Sequence, residues 1–528
     1  MRDFFIPGRS PIVAHEAAIA TSHPLATAAG LAILRDGGNA VDAALAAVAV
    51  QCVVEPHMTG IGGDCFALYA PHGQKVVALN GSGRSPAAAS AADLRDSGMT
   101  MIPHECAHAV TVPGAVSAWM RLHTDYGSME LDRLFAQAID YAKNGYSVTP
   151  RVAFDWALAA PALARHEGTA SVFLNAGATP VAGDRHRQPR LADRLRDIAR
   201  DGASAFYFGS TSRSLVKRLN TLGGVHTEDD FAAGMAVADY AEPIATQYRD
   251  YEILECPPNG QGVIALMILN ILGGFDLSEG LPLAERIHLH AEATKQAYHN
   301  RDAFLSDPSH LPHSVETLLS AGTSDRLRRR ICLEQARPAT LWTEAEHQDT
   351  ICLSVVDRQG NAISFINSIF QAFGSFILDL ETGVLLHSRG SSFRLLQGHP
   401  NELGPRKRPL HTIIPAMARR HGKIVMPFGV MGGHYQAAGH AALLSGVLDQ
   451  GLDIQAAIDA PRSFAFNNTL EVEPTVDNDT LVRLQSLGHD VHLASRPIGG
   501  AQAIWIDHAG GVMWGGSDPR KDGCALGF

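Results

Sequence analysis

The sequence predicts an α+β protein of layered build, rich in helix at first and rich in strand after residue 350. Three observations point there. The chain has 528 residues, more than one core of ordinary size accommodates, so two halves or a large layered fold are expected. An alanine-rich stretch at about Val41 to Val53 is apolar on most sides, which marks a helix buried between other elements. At Thr350 a polar tail gives way abruptly to β-branched sequence.

The elements follow in order. Pro24 suits a first helical turn, and the period Leu31, Leu34 ends at Gly37-Gly38. Asn39 reads as an N-cap with Asp42 in the next first turn, and Pro56 stops that helix. The turn Thr59-Gly60-Ile61-Gly62-Gly63-Asp64 leads into the strand-like run 65–69. Residues 115 to 330 are expected to be mostly helical, with a clear helix over 293–304 before the turn Asp307-Pro308. Residues 333–349 hold no apolar period and read as an exposed tail. Residues 350–357 then form a strand, Arg358-Gln359-Gly360-Asn361 a turn, and 362–367 the returning strand.

Composition narrows the function classes. Apolar residues make up 46% and charged residues 18%, with a formal net charge of −11. That balance disfavours nucleic acid and anionic lipid as partners. The longest apolar run, Val41 to Val54, contains Asp42 and Gln51 and is too short to span a bilayer. The cysteines at 52, 65, 106, 256, 332, 352 and 524 form no C-x-x-C pair. With no apolar stretch of secretory length after Met1-Arg2, a cytoplasmic protein with reduced thiols is expected.

Thr350 carries the chemistry. A threonine hydroxyl is a weak nucleophile at neutral pH, and a free α-amine on the same residue can act as its base. That amine has an unperturbed pKa of about 7.7 to 8, so a useful fraction is neutral near pH 7. An internal threonine has no such amine. The chain must first be cut at Asp349–Thr350, by attack of the Thr350 hydroxyl on the Asp349 carbonyl and hydrolysis of the resulting ester. Pattern alone does not single out Thr350, because any threonine opening a strand fits.

The surrounding motifs do. From Ala20 onward the chain resembles γ-glutamyltranspeptidases. The segment Asp36-Gly37-Gly38-Asn39-Ala40-Val41-Asp42-Ala43-Ala44 is similar to the family's N-terminal signature. Gly60-Ile61-Gly62-Gly63, Val112-Pro113-Gly114, Pro257-Pro258-Asn259-Gly260-Gln261-Gly262 and Ala291-Glu292-Ala293 follow in order, then Arg301-Asp302 and Asp307-Pro308. After them come Thr350 with Ser354-Val355-Val356-Asp357, Gly360-Asn361-Ala362, Lys407-Arg408-Pro409-Leu410, Gly432-Gly433 and Ser517-Asp518-Pro519-Arg520.

The resemblance implies a four-layer αββα sandwich of the N-terminal-nucleophile hydrolase type, self-cleavage before Thr350, and no metal or other cofactor. It implies a large subunit 1–349, mostly helical and contributing one sheet layer and pocket wall, and a catalytic small subunit 350–528. The two would form a heterodimer, with a dimer of heterodimers left open. Thr350 falls on the nucleophile, Ser368 on a hydroxyl that hydrogen-bonds it, and the N–H groups of Gly432 and Gly433 on the oxyanion hole.

The glutamyl-recognition positions depart from the family. The arginine that binds the α-carboxylate falls on Ser82, within Asn80-Gly81-Ser82-Gly83-Arg84. The asparagine near the amine falls on Phe370, and the following Glu or Gln on Arg389. The aspartate that pairs the ammonium falls on Ser392, and two serines near the carboxylate fall on His411 and Thr412. Losing that aspartate removes a charge-assisted contact, and an arginine nearby repels an ammonium. Arg389, Arg84 and His411 are instead candidates to hold a carboxylate on a short acyl group. The altered pattern resembles a subgroup acting on oxamate, a carboxylate joined directly to a primary amide. The expected substrate is therefore a small carboxylate-bearing amide. A β-lactam side-chain acylase is a further possibility within that class, and the alternatives to it are γ-glutamyl transfer or glutathione hydrolysis in a rebuilt pocket and an uncut scaffold without activity.

Other signals carry less. His104-Glu105-Cys106-Ala107-His108 fits the H-E-x-x-H zinc pattern, but Pro103 and the run 109–114 read as extended chain. There, residues four apart lie about 13 Å from each other, too far to share one ion. His57 and His434 read as packing or pocket-wall residues, Cys352 as buried filler before a thiol in the site, and Lys407-Arg408 as either an anion clamp or a turn-stabilising pair. Asn367 is out of register for substrate.

Overall fold

The computed structural model describes residues 8–338 and 350–528. Asp349, the residue before the expected scission, lies outside them. Two seven-stranded sheets stack face to face, and every neighbouring pair within them is antiparallel. One sheet runs Cys524–Gly527, Ala18–Thr21, Ile351–Val356, Ala362–Ser368, Asp64–Ala70, Val77–Gly81, Asp239–Ala241. The other runs Ile12–Ala14, Val512–Ser517, Gly500–Asp507, Lys423–Met431, Ala416–Arg420, Tyr251–Glu255, Ile244–Tyr248. Ile351–Val356 lies centrally in its sheet and faces Lys423–Met431 and Gly500–Asp507 of the other.

Helices cover both outer faces. Ala40–Val54 packs on Ile351–Val356 and Ala362–Ser368, and all fifteen of its residues are buried. Small alanine side chains let it lie close to the sheet. The expected N-cap is a full capping box. Asn39 Oδ1 accepts from the N–H groups of Val41 and Asp42, and the Asp42 carboxylate accepts from Asn39 N. Asp357, at the end of the central strand, accepts from Ala40 N at 2.8 Å and so ties helix to sheet. On the opposite face, Gly262–Leu272 and Gln436–Leu448 pack on the second sheet, with Leu283–Phe304 outside them.

The sheets approach closely where small side chains face inward. Ser364 Oγ donates to the Phe428 carbonyl at 2.6 Å and Cys352 Sγ to the Gly429 carbonyl at 3.2 Å, each crossing from one sheet to the other. These contacts satisfy buried polar groups that would otherwise weaken the core. Cys352 is thus a buried inter-sheet residue, as expected, and burial raises its thiol pKa.

Two expectations change. The stretch 115–330 is not only helical, since Asp239–Ala241, Ile244–Tyr248 and Tyr251–Glu255 close the edges of both sheets. Residues 8–338 therefore supply strands to both sheets, where a single layer was expected. The helix predicted over 293–304 begins earlier, at Leu283.

Candidate active site

Thr350 is fully buried at the start of the central strand. Its Oγ1 lies 3.2 Å from Ser368 Oγ, at the end of the neighbouring strand. Antiparallel pairing places them there, because Ile351 stands opposite Asn367 and Thr350 therefore opposite Ser368. Ser368 Oγ also accepts from Phe370 N at 3.0 Å. Phe370 makes this contact at φ +80°, a conformation that a bulky residue holds only when its surroundings impose it. Gln436 Nε2 donates to Thr350 Oγ1 at 3.4 Å, while Gln436 Oε1 accepts from Ile414 N.

Gln436 opens the helix Gln436–Leu448, and the 3₁₀ turn Gly433–Tyr435 precedes it. Gly432 has φ +123°, and a Cβ there would meet Gly499 Cα at 2.9 Å, so only glycine fits. Tyr435 N donates to Gly432 O at 3.0 Å. In a trans peptide N–H and C=O point opposite ways, so this bond sets the direction of the Gly433 N–H. The next peptide is also pinned, since Gln261 Nε2 donates to Gly433 O at 3.0 Å and to Thr412 O at 2.9 Å. Arg301, fully buried, donates to Gln261 Oε1 at 2.7 Å and contacts His434 Nδ1 at 3.0 Å. The Gly432–Gly433 and Gly433–His434 peptides are thus held rigidly at a helix start, where backbone N–H groups favour negative charge.

A cationic wall adjoins these peptides. The Arg389 guanidinium lies 3.7 Å above the Phe370 ring centroid and donates to Thr412 Oγ1 at 3.1 Å. Arg389 opens the 3₁₀ turn Arg389–Ser392, and Ser392 closes it. Ser392 is buried, and its hydroxyl has no hydrogen-bond partner among the described residues. A circuit of contacts thus runs from Thr350 through Ser368, Phe370, Arg389, Thr412, Gln261 and Gly433 to the helix that carries Gln436.

His411 faces Asp64, with Nε2 3.1 Å from Oδ2, and His387 Nδ1 lies 3.6 Å from the same oxygen. Asp64 Oδ1 accepts from Gly83 N and Gly114 N, both at 3.0 Å. Burial works to raise the Asp64 carboxyl, but His387, His411 and the Gly83 N–H outweigh it and hold it at about 2. Burial, with Arg389 second, pushes His411 down to about 3. Asp64 is therefore ionised and His411 neutral near pH 7.

Some expected residues have other partners. Arg84 directs NH1 to Asp307 at 3.2 Å and to the Arg406 carbonyl at 3.0 Å. Its side chain is 40% exposed, and these contacts separate it from the Thr350 circuit, contrary to its expected place as a carboxylate clamp. Ser82 accepts from Asn259 Nδ2, which also bonds the Pro409 carbonyl, and so organises the loop leading to His411. Lys407 and Arg408 bind backbone carbonyls and brace turns. Asn367 bonds Trp119, Thr59 and Gly60.

His104 and Glu105 precede a 3₁₀ turn, Ala107–Ala109, that holds His108, and Glu105 pairs with Arg165 and His166. The segment is thus a turn rather than extended chain, and it lacks the helical spacing that H-E-x-x-H chemistry needs. The sequence reading missed Gln436, Asp64 and His387. Gln436 alone had a usable signal, as the polar residue opening a helix just after the paired glycines.

A four-layer sandwich with a buried threonine opening a central strand is the architecture of N-terminal-nucleophile hydrolases. The chain belongs to the γ-glutamyltranspeptidase family, whose model (Gamma-glutamyltranspeptidase) matches residues 26–528. It is 38% identical over 525 residues to a glutathione hydrolase-like YwrD proenzyme of Bacillus subtilis, covering 97% of this chain and 98% of that one. It is 36% identical over 536 residues to an oxamate amidohydrolase proenzyme of Klebsiella pneumoniae, covering 98% and 99%. Among solved structures, a cephalosporin acylase from Bacillus halodurans superposes with TM-score 0.93 at 36% identity, covering 100% and 99%.

Proposed function

We propose that this chain cuts itself between Asp349 and Thr350 and then hydrolyses a small amide whose acyl group bears a carboxylate, such as oxamate. In this reading the freed Thr350 α-amine takes the proton from Oγ1 as the oxygen attacks the amide carbonyl. The Gly432 and Gly433 N–H groups stabilise the resulting oxyanion, each such donor contributing about 3 to 4 kcal/mol. The protonated amine then passes its proton to the leaving nitrogen, and water hydrolyses the acyl ester by the same steps in reverse.

The observation that carries the substrate reading is the buried Arg389 on Phe370, beside the Thr350–Ser368 pair, with Ser392 where the family's ammonium-pairing aspartate falls. A planar guanidinium matches a carboxylate in geometry and charge. Arg84 is not part of this reading. Residues 350–528 would be the catalytic subunit, held in a heterodimer by both shared sheets.

A second reading rests on a cleft of 660 Å³ lined by Phe370, Ser391, Phe393, Arg394, Met101 and Leu395, among others. Ammonia leaving from oxamate would not need that space, whereas an amide with a larger, partly apolar amine would use it. Steady-state assays of the processed protein separate the readings. Oxamate turnover well above that of γ-glutamyl anilide and of bulky N-acyl amides supports the first. Preference for the bulky amides supports the second, and preference for the γ-glutamyl substrate rejects both.

A further inference from the structure

Three buried side chains far along the chain from the catalytic residues converge across the expected subunit boundary. His288 and Glu292 stand one helical turn apart on Leu283–Phe304, and His489 precedes the strand Asp490–Leu493. One ligand atom from each lies within 4.8 Å of the others, and all three residues are buried. His288 Nδ1 and His489 Nε2 are 2.8 Å apart.

The surroundings resemble the outer shell of a metal centre. His288 Nε2 is 2.8 Å from the Cys332 carbonyl, which can only accept, so Nε2 carries the proton and the Nδ1 lone pair faces His489. A metal-ligating imidazole is oriented in this way by donating its other N–H to a carbonyl or carboxylate. Glu292 accepts from Lys295 Nζ at 2.7 Å and from Arg337 N at 3.3 Å, contacts that fix its carboxylate and that a bound ion would share. Two imidazoles and one carboxylate form a donor set suited to zinc, with a fourth position left for water.

We propose that His288, Glu292 and His489 bind one divalent ion of the zinc class, and that this ion clasps residues before the cut to residues after it. Ala336 N donates to the Leu487 carbonyl at 2.7 Å beside this cluster, so the clasp sits where a segment before the cut meets one after it. The clasping role rests on the cut proposed above; the binding of the ion does not.

The test is calorimetric titration of chelator-stripped full-length protein with Zn²⁺, run on the wild type, on uncut Thr350→Ala and on His489→Ala. One equivalent per chain is expected for the first two, with affinity at least about 100-fold weaker in His489→Ala. Titration with Co²⁺ is expected to give tetrahedral visible bands that His489→Ala lacks. Zinc is further expected to raise the denaturant concentration at which the processed fragments separate. Absence of stoichiometric binding by stripped wild type, or equal binding by His489→Ala, overturns the site. Binding without any effect on fragment separation overturns the clasp.

Discussion

Thr350 and Ser368 face each other because two strands pair in one register, so their contact is a property of backbone as much as of side chain. Removing the Ser368 hydroxyl should leave the strands paired but deprive Thr350 Oγ1 of a hydrogen-bonding neighbour. Ser368→Ala is expected to lower kcat roughly 10-fold, the scale of one buried hydrogen bond, and to slow the appearance of two bands on a denaturing gel. Arg389 acts differently. Arg389→Gln keeps a donor near Thr412 but removes the charge, so KM for an acidic amide should rise roughly 10- to 100-fold with kcat changed far less. Initial-rate kinetics over a range of substrate concentrations distinguish these outcomes, and an unchanged KM would remove Arg389 from the acyl site.

The turn after Lys423–Met431 is the element on which the proposed oxyanion site depends. Gly432 leaves its strand at φ +123° with Gly499 packed against it. Gly432→Ala would meet that neighbour's backbone and shift the Gly433 N–H. The expected loss in kcat is about 10²- to 10³-fold, the cost of one oxyanion donor, with the fold retained by far-ultraviolet dichroism. Much of this element was legible in advance, since paired glycines after an apolar run announce a tight turn. The capping box at Asn39 and the hairpin at 350–367 were legible for the same reason, because their signals are local. Asp64 and His387 were not. They reach the site through sheet stacking and long-range loops, and nothing in their immediate sequence records those contacts. Arg84 was misplaced for the converse reason. A basic residue beside a recognition motif has the right chemistry, but the backbone directs it to Asp307.

At the scale of the whole molecule, the segments before 339 and after 349 are interleaved through both sheets. A cut between them leaves the strand pairing intact, so the two fragments should co-elute on size exclusion in native buffer and separate only in denaturant. The interior also sets an acid limit. Burial pushes His23, His411 and His440 down to about 3 and His186 and His226 to about 4. Below the ordinary histidine value of about 6.5 the unfolded chain binds protons that the folded chain refuses, so stability is full above that pH and falls as pH drops toward 4. Each group that titrates fully in this way contributes a slope of up to about 1.4 kcal/mol per pH unit. Urea midpoints measured from pH 7.5 to 5 should decline steadily, and a flat profile would contradict these assignments.

The central claim is that Thr350 becomes a chain end and uses its own amine. Intact mass and N-terminal sequencing of freshly purified wild type and Thr350→Ala test it most directly. The account predicts two wild-type fragments, the second beginning at Thr350, and one uncut, inactive chain for the variant. A wild-type chain that remains whole while turning over substrate at full rate would contradict it.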